Sequence, residues 1–133
     1  MIKKTSSVRI DWDKRDEEIL AKVTKVVEEL LNPENKPERI TIGKVGGILG
    51  ERALFEKKID KLPRTKRYIQ GKAETVEQFT ERRIDHVIHK MQENNEELKT
   101  WIILRKSGIK DWKLWWKTVE DKINSRGYSL HID

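Results

Sequence analysis

Apolar residues recur with helical spacing through most of the chain. Between Asp13 and Leu31 they are Ile19, Val23, Val26, Val27, Leu30 and Leu31, a single stripe of a 3.6-residue period that predicts an amphipathic helix. Asp11 or Asp13 can cap its first turn, and Asp16, Glu17 and Glu18 suit the positive end of the helix dipole. Asn32, Pro33 and Pro37 end it.

Thr41 then caps a short helix burying Ile42, Val45, Ile48 and Leu49, stopped by a left-handed Gly50. A third stretch from about Arg52 buries Phe55, Ile59 and Leu62 in one row, and Pro63 breaks it or begins a further turn. Thr75-Val76-Glu77-Gln78 is a capping box opening a long helix with Phe79, Ile84, Val87, Ile88 and Met91 inward, closed by Asn94 and Asn95. A short helix around Leu98, Trp101, Ile102 and Leu104 ends at Ser107-Gly108. A last one runs from Asp111 to about Arg126, with Trp112, Trp115, Trp116, Val119 and Ile123 on or near one face, Trp112, Trp116 and Val119 among them taken as buried, and Gly127 as its stop. Tyr128 to Ile132 reads as a tail with weak strand alternation.

The order long helix, short helix with terminal glycine, third helix occurs twice. Ile40–Gly50 aligns with Leu98–Gly108 at an offset of 58, and Ile19 and Val23 align with Ile84 and Ile88 at an offset of 65. The expected fold is all-α: two tandem three-helix helix-turn-helix units, residues 1–72 and 73–133, packed through helix faces and a tryptophan cluster. Three tryptophans in five residues exceed what one helix face buries, so Trp115 is expected at the junction of the units or on the surface.

Composition narrows the chemistry. With 133 residues, 35% hydrophobic and 39% charged, the chain suits one domain or two very small ones rather than a large enzyme with a deep pocket. It has no cysteine and only three histidines, which excludes disulfides, thiolate metal sites and a cysteine nucleophile. No apolar run approaches the ~20 residues of a membrane span, so a soluble, cytoplasmic protein is expected. The net charge of +6 is unevenly distributed: segments 1–40, 41–72, 73–98 and 99–133 carry 0, +6, −4 and +4. Two basic blocks separated by an acidic one are a footprint suited to a polyanion.

A short helix, a glycine turn and a cation-bearing third helix match a helix-turn-helix, whose second helix enters the DNA major groove. Burying Phe55, Ile59 and Leu62 would turn Lys57, Lys61 and Arg64 outward in one row, with Arg52 near base edges and Lys58, Lys66 and Arg67 beside it for phosphates; Lys44 and Thr65 are counted with the same DNA-binding set. In the second unit Lys113 and Lys117 would face outward, with Lys106, Ser107 and Lys110 at the turn.

Several segments also carry a resemblance: Arg9-Ile10-Asp11-Trp12-Asp13-Lys14-Arg15-Asp16, Ile59-Asp60-Lys61-Leu62-Pro63-Arg64-Thr65-Lys66, Arg82-Arg83-Ile84, and Trp101-Ile102-Ile103-Leu104-Arg105-Lys106-Ser107-Gly108-Ile109. Together, over about Arg9 to Leu114, they resemble the C-terminal region of the TnsD family, target-site-selection proteins of bacterial cut-and-paste transposons. The resemblance implies sequence-specific binding of a chromosomal attachment site, followed by recruitment of an AAA+ transposition regulator. Members of this kind also have a zinc-binding TniQ-type domain. This cysteine-free chain would then be the C-terminal part of a longer protein, with Met1 introduced as a start.

Other constellations are weaker. His86 and His89 have a spacing that can share a metal, but no third ligand stands nearby in sequence, and Val87 and Ile88 mark the buried face. The acids from Asp11 to Glu18 could hold Mg²⁺, and Glu56-Lys57-Lys58 resembles a nuclease element, yet that element belongs on a strand and acids belong at a helix start. Gly43, Gly46, Gly47 and Gly50 give the G-x-x-G of an RNA-clamping loop without the sheet that fold requires. The expected function is therefore non-enzymatic, cofactor-free recognition of double-stranded DNA at an attachment site. The alternative is a module docking other transposition proteins.

Overall fold

The computed structural model describes the backbone of residues 10–132 and the side-chain surroundings of residues 10–126. Arg9 of the N-terminal motif lies outside the described residues. The chain is all-α, with no strand among the described residues. It divides into two compact units, Met1–Glu74 and Thr75–Asp133.

The first unit contains α1 (Trp12–Leu30), α2 (Ile42–Leu49), α3 (Arg52–Lys57), a 3₁₀ turn (Ile59–Lys61) and α4 (Pro63–Lys72). Asp11 caps α1 by accepting from the Lys14 amide, and Thr41 caps α2 by accepting from the Lys44 amide. Gly50 ends α2 with φ 73°, in the left-handed region that a side chain disfavours, and Glu51 N–H closes the turn on the Gly46 carbonyl at 2.8 Å. The core gathers Ile19, Val23, Val27 and Leu30 of α1 against Ile40, Val45, Phe55, Leu62 and Ile69. Helix α1 packs on α2 and α4, and α2 packs on α3. Close approach of α2 and α3 depends on Gly46, where an added Cβ would lie 3.1 Å from Phe55 Cβ, Cγ and Cδ2. After α4 the chain returns to the lead-in of α2: Glu74 accepts from Ile40 N–H at 3.0 Å and donates its own amide to the Ile40 carbonyl at 2.9 Å.

The third stretch expected from Arg52 to Leu62 is instead two pieces, and Pro63 begins a further helix, one of the two roles open to it. Helix α3 stops at Lys57, the chain turns through the 3₁₀ segment, and α4 starts afresh with Pro63 at its first position. Proline lacks the amide that would continue a helix and is well suited to begin one.

The second unit contains α5 (Val76–Glu93), α6 (Thr100–Lys106) and α7 (Trp112–Ile132). Thr75 and Gln78 form the capping box reciprocally. Gly108 follows α6 at φ 71°. The core is Ile84, Ile88 and Met91 against Ile103, Leu104, Ile109 and Val119. Three readings of α7 require correction. Its inward stripe is Trp112, Trp115, Val119 and Ile123, so Trp115 packs on its own unit's core, and Trp116 is the more exposed ring at 38%. Gly127 does not stop the helix, whose backbone continues to Ile132 through the expected tail.

Candidate nucleic-acid interface

Helices α2 and α3, joined by Gly50 and Glu51, lead into a group of exposed cations. With Phe55 buried and Leu54 half-buried, helical geometry turns Arg52, Ala53, Glu56 and Lys57 to solvent, and Lys58 and Lys61 follow, also exposed. Arg52, Lys57, Lys58 and Lys61 have no ion-pair partner among the described residues, and neither does Arg67 on α4, which is also exposed. The Arg52 guanidinium folds back over α2, its terminal nitrogen 2.9 Å from where a Cβ would stand on Gly47. Gly43, Lys44, Gly47, Ile48 and Arg52 line a shallow cleft there.

Other residues expected at this surface are engaged elsewhere. Lys57, Lys61 and Arg64 do not form one row, because they stand on three different elements. The Arg64 guanidinium donates to Asp13 Oδ1 at 2.9 Å and to Asp16 Oδ2 at 3.2 Å, so its charge is neutralised by α1. Thr65 is fully buried, and its hydroxyl donates to Asp16 Oδ1 at 2.7 Å, which withdraws it as a DNA contact. Lys66 pairs with Asp60, holding that carboxyl below its usual range, and Lys44 pairs with Glu38.

Asp16 organises this corner. Leu62, at the cap position of α4, offers no side-chain acceptor, and Asp16 supplies it from α1: Oδ2 accepts from the Arg64 amide and Oδ1 from the Thr65 amide, each at 3.0 Å. Burial by itself would raise the carboxyl pKa. The hydrogen bonds from the Thr65 hydroxyl, the two amides and the Arg64 guanidinium outweigh it and hold the group below the usual carboxylate value. Reading Asp16 as a first-turn dipole partner therefore missed its role. Its sequence signal was an acid at the stripe spacing of Ile19, three residues earlier, which places it inward.

In the second unit Lys106 pairs with Glu96 at 3.1 Å and Ser107 is buried, so neither offers a free contact at the turn. Lys110 and Lys113 are exposed without a partner among the described residues, and Lys117 lies 3.5 Å from Asp121. Arg105 stacks over the exposed Trp101 ring at 5.1 Å. His89 pairs with Glu93 at 3.1 Å.

The family model for TnsD, Tn7-like transposition protein D, matches residues 1–69. The chain belongs to the TnsD family. No curated protein and no solved structure matches it. The matched stretch contains two of the segments that carry the TnsD likeness, and in the fold they meet: Asp13 and Asp16 of the first grip Arg64 and Thr65 of the second. Within the TnsD-like run Asp60–Lys66, Arg64 and Thr65 are accordingly occupied with holding the unit together and Lys66 with Asp60. Arg52, Lys57, Lys58 and Lys61 stay exposed and unpaired beside them. No described helix is long and apolar enough to cross a membrane.

Proposed function

We propose that this TnsD-family chain binds double-stranded DNA sequence-specifically, as the attachment-site-recognising part of a transposition target-selection protein, and acts without chemistry of its own. The first unit works as a helix-turn-helix in which α3 enters the major groove. One observation carries this reading: Arg52, Lys57, Lys58 and Lys61 are exposed and unpaired directly after a glycine turn, beside cations that the fold has neutralised. A basic group left bare on a protein with ample carboxylates favours a partner that brings negative charge.

In this reading Arg52 and Arg67 contact phosphates, Lys57, Lys58 and Lys61 contact phosphates or base edges, and Lys110 and Lys113 make a second, weaker set of contacts. Recruitment of an AAA+ transposition regulator belongs to the same proposal, through the full-length protein. A mobility-shift titration on the attachment sequence and on a scrambled duplex tests it. Tighter binding of the attachment sequence, weakened when Lys57, Lys58 and Lys61 are changed together to Ala, is expected. Equal affinity of the triple variant and the parent would overturn it.

A further inference from the structure

The outer face of α3 is cationic except at one place. Glu56 is the only acid of this helix, it is exposed, and it has no partner among the described residues. Its natural neutraliser is Arg52, one turn earlier, since residues four apart on a helix lie side by side. The Arg52 guanidinium instead lies over α2, in the space left by the missing side chain of Gly47. The carboxylate is thus left without an ion pair, followed in the chain by Lys57 and Lys58, with the exposed Ala53 three residues before it.

On a surface that approaches a polyanion, such a group is repelled by phosphates unless something accepts its presence. In the major groove the exocyclic amines of bases are the hydrogen-bond donors. Adenine N6 lies between two acceptors, its own N7 and the thymine O4, which repel a carboxylate, whereas cytosine N4 has the guanine O6 on one side only.

We infer that Glu56 is a specificity-determining residue that accepts a hydrogen bond from cytosine N4, making one position of the recognised sequence a C·G pair. This inference rests on the proposal that α3 enters the major groove. Arg52 supports it by staying away from Glu56, and Gly47 is what permits that.

The test is selection from a randomised duplex library with the 133-residue chain and with Glu56→Gln and Glu56→Ala, followed by titration of the enriched duplex and its single-base variants. The parent is expected to enrich a sequence with one invariant cytosine whose replacement weakens binding by about 5- to 150-fold. Glu56→Gln should move that single position toward adenine, because an amide pairs with N6 and N7 together. Glu56→Ala should erase the preference there and nowhere else. Because Glu56 is exposed, both variants should melt as the parent does. If both variants enrich the parental sequence with affinity raised on every duplex, Glu56 is only a repulsive neighbour and the inference is overturned while DNA recognition stands. If the parent enriches no sequence at all, the proposed function falls with it.

Discussion

Replacing Asp16 by Ala is expected to destabilise the first unit more than any other single change of a polar side chain. Its carboxylate is 1% exposed and accepts from the Arg64 and Thr65 amides at 3.0 Å, the Thr65 hydroxyl at 2.7 Å and the Arg64 guanidinium at 3.2 Å. Removing it leaves the start of α4 uncapped and a buried hydroxyl with only the Asp16 carbonyl, 3.3 Å away. Charged hydrogen bonds contribute about 1.5–3 kcal/mol each but are not additive, and breaking a buried ionic cluster from one side costs about 3–5 kcal/mol in all. For a unit of this size each kcal/mol lowers the melting temperature by about 4–8 °C. Urea and thermal unfolding of the full chain at pH 7 measure this, and a loss under ~1 kcal/mol would refute the capping role. The charge can be isolated with Asp16→Asn. Because the folded pKa lies below the usual value of 3.8, the extra stability is fully present above about pH 5 and disappears as pH falls through the folded pKa. The gap between parent and Asp16→Asn should therefore narrow on acidification below pH 4. A gap that stays constant to about pH 2 would show that shape rather than charge does the holding.

Neighbouring glycines should respond oppositely: Gly46→Ala presses a methyl onto Phe55 and should cost about 1 kcal/mol despite better helix propensity, read by urea unfolding. Gly47→Ala meets only the mobile end of Arg52, so it should stabilise α2 by up to ~1 kcal/mol while weakening DNA binding in a mobility shift, because Arg52 is displaced toward Glu56. Arg64→Ala should lower stability by about 1–2 kcal/mol and leave the salt dependence of DNA binding unchanged, since its charge is already held by Asp13 and Asp16. For the parent, about 4 phosphates neutralised by Arg52, Lys57, Lys58 and Lys61 predict a loss of roughly 10²-fold in affinity between 50 and 200 mM salt, and a flat response in fluorescence anisotropy would remove the electrostatic basis of the interface.

What the sequence by itself determined is everything that depends on near neighbours. Asp11, Thr41 and the Thr75–Gln78 box cap their helices through contacts three residues long, Gly50 and Gly108 take the left-handed turn for lack of a Cβ, and the 3.6-residue stripes choose the buried faces. The extension past Gly127 and the swap of Trp115 for Trp116 are places where local preference is weak and packing chooses. Tertiary structure alone decided which cations are free. Arg64 lies 48 residues beyond Asp16, and Lys106 lies 10 beyond Glu96, separations over which no periodicity links an acid to a base. A charge count treats every lysine and arginine alike, whereas Coulomb attraction and burial act over a few ångströms. Only when the chain has folded does α1 claim Arg64 and Thr65 and leave Arg52, Lys57, Lys58 and Lys61 facing water.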